Sequence, residues 1–204
     1  MRVVVPFDAR DPNTRLAPVL DSEQRRDFAG AMLRDVLGAL REAGHDPEVL
    51  ATDSLDVDAP VTVDDRPLTP AVNAALSGTD GPVAVVMADL PLATPRALEG
   101  LFAPDADVVL APGVGGGTNA ILTRAPDFRV DYHGVSFRDH REAAATVGAE
   151  VATVDSFRLA LDVDDPADLA EVLLHSDGEA TAWLREAGFA ISTGDGRMGV
   201  ERDG

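Results

Sequence analysis

The chain has 204 residues, 45% of them apolar and none of them cysteine, which allows one well-filled domain and excludes disulfides, thiolate metal sites and cysteine nucleophiles. Acidic residues outnumber basic ones 36 to 17, for a net charge of −19, and every basic residue is arginine, so no basic patch is available for nucleic acid. No apolar run approaches the roughly 18 residues of a membrane span, and the opening run is too short for a secretory signal, so a soluble, cytoplasmic protein is expected.

In chain order, Val3–Val5 is a short apolar strand ended by Pro6. A polar stretch from Phe7 to Asp21 follows, with Pro12 and Pro18 opposing regular structure. Asp21 or Ser22 caps the next helix, and Gln24 is placed to complete a capping box. Phe28, Met32, Val36 and Leu40 recur at helical spacing, and Gly44 supplies the stop. Strands are expected at Glu48–Ala51 and Val61–Val63, then a helix opened by Thr69-Pro70 and closed by Gly78. Val83–Met87 is wholly apolar, as a strand buried on both faces should be. Thr94-Pro95 opens a helix through Phe102, and Val108–Ala111 and Ala120–Thr123 are strands flanking a glycine-rich loop. A helix over Phe137–Val147 has Ser136 as its cap. Glu150–Val154 and Leu159–Val163 read as late strands, Asp165-Pro166 as the cap of a helix to His175, and Glu179–Ala187 as the last helix, with Trp183 in the core. The alternation defines a single α/β domain over residues 1–192, Rossmann-like, with a mixed but mostly parallel sheet and helices on both faces. Residues 193–204 form a polar, frayed tail in this reading.

Ligands of open parallel sheets bind beyond the carboxyl ends of the strands, so the residues after each apolar run are the ones to weigh. Arg10 and Arg15 lie in the loop after the first strand and either grip phosphate with their planar forks or pair with nearby acids on the surface. Asp89 follows the most apolar strand and is either a metal ligand or a turn former. Asp162 and Asp164, two apart, would share one side of a strand, and two such carboxylates repel unless a cation sits between them. Three carboxylates from separate strands suit magnesium held together with substrate phosphates; a solvated acidic turn is the bland alternative. Gly115-Gly116-Gly117 leaves backbone N–H groups open to an anion or makes a flexible hairpin, and it lacks the lysine of a Walker loop. The histidines show no metal spacing. The acidic excess is spread along the whole chain, which reads as halophilic adaptation: concentrated salt screens a surface that repels itself in dilute buffer.

In this order the stretches TRLAPVL, AMLRDVLGAL, VMADLPLATP, APGVGGGTNAILTR, SFRDH and LALDVDDPADL resemble the 2-phospho-L-lactate guanylyltransferases of coenzyme F420 biosynthesis, in the nucleotide-diphospho-sugar transferase-like superfamily. The resemblance implies an enzyme that joins GMP from GTP to 2-phospholactate and releases diphosphate, some bacterial relatives preferring phosphoenolpyruvate. It implies Asp89, Asp162 and Asp164 as metal-holding acids, with Mg2+ as the cofactor. Thr118 and Ser136, with Gly116, Gly117 and Asn119 of the glycine turn, would face the phosphorylated acid. The loop of Arg10 and Arg15 would face the triphosphate. Apart from the resemblance, Asn73, in the short helix after Thr69-Pro70, is placed near the base. A homodimer is implied as well. Relatives carry a lysine where this chain has Asn13, so Arg10 or Arg15 must replace its charge. Rival readings are another nucleotidyltransferase of the superfamily, acting on molybdopterin or a sugar phosphate, and a nucleotide-binding regulator without catalysis.

Overall fold

The computed structural model describes residues 1–193 and 198–202. Seven strands form one sheet: β1 (Arg2–Phe7), β2 (Pro47–Ala51), β3 (Val61–Val63), β4 (Val83–Val86), β5 (Val108–Pro112), β6 (Thr118–Thr123) and β7 (Val151–Thr153), in spatial order β3-β2-β1-β4-β6-β5-β7. All neighbours pair in parallel except β6, which runs antiparallel to both β4 and β5. The expected mixed, mostly parallel sheet is what forms. Its two faces are covered by separate apolar clusters. One buries α1 (Ser22–Glu42), α3 (Pro95–Phe102), α6 (Asp168–His175) and α7 (Glu179–Glu186); the other buries α2 (Leu68–Ser77) and α4 (Ser136–Thr146). Strands sandwiched in this way need apolar residues on both sides, which is why β4 is an unbroken apolar run with all four residues buried.

Several helix ends follow the sequence signals. Asp21 caps α1 by accepting from the backbone N–H groups of Glu23 and Gln24, and Gln24 returns the bond to Asp21 N–H, a complete capping box. Thr94 caps α3, with Pro95 as its first residue. Trp183 packs its ring 5.3 Å from Phe28, against the core.

Other ends differ, each for a local reason. Thr69 is not the cap of α2, which starts at Leu68; the Thr69 hydroxyl instead accepts from the N–H of Tyr132. Ser136 is the first residue of α4, not its cap, because its hydroxyl turns to Thr118. The α6 helix begins at Asp168, whose carboxylate reaches back to the N–H groups of Asp164 and Asp165. The expected strand at Leu159–Val163 is replaced by one helical turn, α5 (Phe157–Ala160), and an irregular segment. Leu159 and Val163 are still fully buried, but the segment lies across the strand ends and makes single bonds to them, such as Val163 N–H to Asp89 C=O, rather than a ladder. The frayed-tail expectation is also corrected: β8 (Phe189–Ser192) and β9 (Gly199–Arg202) pair as an antiparallel hairpin. Residues 194–197 and 203–204 of the expected tail lie outside the described residues.

Candidate active site

The carboxyl ends of β1, β2 and β4 open on one edge of the sheet, and because β6 is antiparallel its amino end arrives at the same edge. A cavity of about 680 Å³ lies there, its walls including Arg10, Arg15, Met87, Asp89 and Asp164. It falls in the size range of nucleotide and cofactor pockets.

The loop after β1 is built, not slack. Asn13 adopts a left-handed conformation (φ 48°), which asparagine tolerates better than most residues, and opens a 3-10 turn at Thr14–Leu16 that buries Leu16. Arg25, almost wholly buried, braces the loop from α1: it donates to the carbonyls of Pro12 and Leu20 and pairs with Asp11. Asn13 Nδ2 donates to Val163 C=O at 3.0 Å, tying the first loop to the acidic segment. Arg15 crosses the same gap, with Nη1 2.7 Å from Asp164 Oδ2. Arg10 also lines the cavity, with Nε 3.7 Å from Asp53.

Asp89 is the electrostatic centre. Its Oδ1 is buried without a hydrogen-bond partner among the described residues. Burial, and then the negative charges of Asp162 and Asp164, push its carboxyl up from 3.8 to about 7. Asp164 is raised as well, by burial and by Asp162, with Arg15 opposing. Asp162 accepts from Asn119 Nδ2 at 3.1 Å. The three acids therefore feel one another, but among the described residues no group of three acids or histidines is arranged as a ready-made metal cage. The same-strand geometry expected for Asp162 and Asp164 is absent, since both lie on the irregular segment after α5.

The glycine turn is also ordered from within. Gly113 N–H donates to Gly117 C=O, Gly116 N–H to Gly113 C=O, and Val114 N–H to Ala160 C=O. Pairing of β5 with β6 shifts register between Ala111 and Pro112. Adjacent strand residues face opposite ways in any case; the shift reverses which face each one takes. Asn119 turns toward α5, donating to Leu159 C=O at 3.0 Å as well as to Asp162. Thr118 turns toward α4, where Ser136 Oγ lies 3.5 Å and His140 Nδ1 2.9 Å from its hydroxyl. Thr118, Ser136, Gly116 and Gly117 thus gather at the start of α4, beside the cavity and not within its wall. Asn119 is the link between this cluster and the acids.

Asn73 lies apart from the cavity wall. Both ends of its amide are spent on the backbone of Val130, donating to its C=O and accepting from its N–H, each at 2.9 Å. Conversely, Asp64, Asp65 and Arg66 line the cavity, Arg66 forming an ion pair with Asp64 that lowers the carboxyl and raises the guanidinium. They directly follow β3, so the rule that loops after parallel strands hold ligands applied to them too.

The fold defined here is one shared by nucleotidyltransferases. A structure from Desulfovibrio desulfuricans G20, described as a nucleotide-diphospho-sugar transferase, superimposes with a TM-score of 0.69 at 18% identity, covering 91% of this chain and 95% of that one. A nucleotidyl transferase from Methanothermobacter superimposes with a TM-score of 0.61 at 14% identity, covering 91% and 99%. Residues 1–203 match the family described as "Guanylyl transferase CofC like", and the chain belongs to that family. It is similar to the 2-phospho-L-lactate guanylyltransferase of Halomicrobium mukohataei, 63% identical over 202 residues that span 99% of this chain and 100% of that protein.

Proposed function

We propose that the chain is a 2-phospho-L-lactate guanylyltransferase: it joins GMP from GTP to 2-phospholactate, giving lactyl-2-diphospho-5′-guanosine and diphosphate, a step of coenzyme F420 biosynthesis. What carries the reading is the whole-length likeness to a relative of that name at 63% identity. The cavity beside Asp89 supports it physically. A phosphate oxygen of the acid attacks the α-phosphorus of GTP, and the bond to the departing diphosphate breaks. The acid's phosphate is already a nucleophile near neutral pH, so no protein base is needed; the task is to bring two anions together in line.

A divalent metal, taken as Mg2+, fits the residues present: Asp89 offers a buried oxygen with no other partner, and Asp162 and Asp164 raise its proton affinity in a way a cation would reverse. Asp89, Asp162 and Asp164 would hold it with phosphate oxygens completing the shell, and it would supply charge neutralisation at the reacting phosphates. Arg15 and Arg10 face the triphosphate. Arg15 starts paired to Asp164, an exposed contact that costs little to exchange for phosphate on one side and metal on the other. Gly116, Gly117, Thr118 and Ser136 receive the acid, and Asn119 couples that side to Asp162.

The test is incubation with GTP, Mg2+ and either 2-phospholactate or phosphoenolpyruvate in concentrated salt, followed by the mass of the product. A GMP adduct of phosphoenolpyruvate alone would move the acceptor assignment, and nucleotide binding without diphosphate release would replace the enzyme by a sensor.

A further inference from the structure

The chemistry above makes no use of His140, yet its side chain is wholly buried and both ring nitrogens are engaged. Asp131 N–H donates to Nε2 at 3.0 Å, and Nδ1 stands 2.9 Å from Thr118 Oγ1. A backbone amide only donates, so Nε2 is the acceptor and the proton of the neutral ring sits on Nδ1. Burial keeps the ring neutral, lowering it to about 4 against the opposing pull of Asp131 and Asp139. Tyr132 and Phe128 stand edge-on to the ring, with centroids 5.0 and 6.2 Å away, and fix its plane.

Nδ1–H therefore donates to Thr118 Oγ1, which leaves the threonine with its own proton to give. The nearby protein oxygen is Ser136 Oγ at 3.5 Å, a long contact. Both hydroxyls are almost fully buried at the first turn of α4, next to the glycine turn. We propose that His140 is a positioning residue for the acceptor: by donating to Thr118 it holds that hydroxyl as a donor toward an anionic oxygen of the phosphorylated acid. This rests on the reading of Thr118 and Ser136 as the acceptor side.

Two conservative variants separate the ring's two hydrogen bonds. In His140→Asn an amide N–H falls near the place of Nδ1 and still reaches Thr118. In His140→Gln the amide falls near the place of Nε2 and serves Asp131 N–H instead. Steady-state kinetics with GTP and 2-phospholactate varied separately should show the KM for the acid raised about tenfold or more in His140→Gln and within about threefold of wild type in His140→Asn, with the KM for GTP unchanged in both. Thermal midpoints taken alongside should be similar for the two. If both variants behave alike, or if the two KM values rise together, the role is structural and the proposal is overturned. In wild type, 15N shifts of the imidazole between about pH 5.5 and 8 should show Nδ1 protonated and no titration; the opposite tautomer overturns it as well. Should wild type form no product from GTP and this acid, the functional reading fails by itself. Calorimetry with inorganic phosphate then decides: weaker binding to His140→Gln than to His140→Asn supports the positioning role, and equal binding defeats it.

Discussion

Asn119 donates from one amide nitrogen to both Leu159 C=O and Asp162 Oδ1, at 3.0 and 3.1 Å, and so fastens the glycine turn to the acidic segment. Removing the carboxylate leaves the bond to Leu159 intact. Asp162→Ala should therefore fold normally while losing about 10²- to 10⁴-fold in turnover, the loss coming from metal and phosphate charge left uncompensated. Circular dichroism with single-turnover kinetics checks both halves, and near-normal turnover would remove Asp162 from the mechanism.

Gly113 tests the same joint from the other side. A Cβ there would sit 2.6 Å from Asn119 Oδ1 and 3.0 Å from its Cγ and Nδ2. Gly113→Ala must push the amide off its partners, with a stability cost of about 1–3 kcal/mol and a fall in turnover. Denaturant melts and kinetics on the same preparation measure the two effects.

Asp89 links stability to pH. Its carboxyl is raised from 3.8 to about 7 in the folded chain, so the folded state holds a proton that the unfolded state has lost. The contribution is fully present below about pH 4 and is lost as pH rises through about 7. Asp89→Asn should flatten that part of the metal-free stability curve and raise the melting temperature at pH 8, while abolishing turnover. Added Mg2+ should stabilise wild type at pH 8 more than at pH 5, and should leave the variant nearly unmoved. A wild-type curve that rises between pH 4 and 7 for this group's part would contradict the assignment.

Arg15 and Asp164 are about half exposed, so their ion pair contributes at most about 1 kcal/mol to stability. Arg15→Ala should leave the melting temperature almost unchanged and raise the KM for GTP about tenfold. An unchanged KM would shift the phosphate-gripping role to Arg10.

Asn73→Ala should show the opposite pattern. Two backbone bonds to Val130 are lost, at about 1–3 kcal/mol, with no change in the KM for GTP. A selective rise in that KM would return Asn73 to the base.

What was legible in the sequence was local and periodic. The capping box at Asp21, the Thr94-Pro95 start and the apolar β4 each depend on neighbours in the chain, and each formed as read. Leu159–Val163 misled because a short apolar run carries no sign of whether it will pair in a sheet; here the run crosses the strand ends and joins them by single bonds. For Asn73 the sequence held no sign that its amide faces the backbone of Val130, 57 residues away. His140 was passed over because its partners, Thr118 and Asp131, have no helical or metal-ligand spacing to it. The first loop was expected to face the triphosphate, but its tie to the acidic segment, Asn13 to Val163, joins residues 150 apart and left no pattern to read.

The register shift at the start of β6 has an evolutionary corollary. One backbone step separates the threonine that looks toward α4 from the asparagine that grips Asp162. A one-residue insertion or deletion within Thr118–Ala120 would reverse the faces these side chains take, breaking the His140 and Asp162 contacts together.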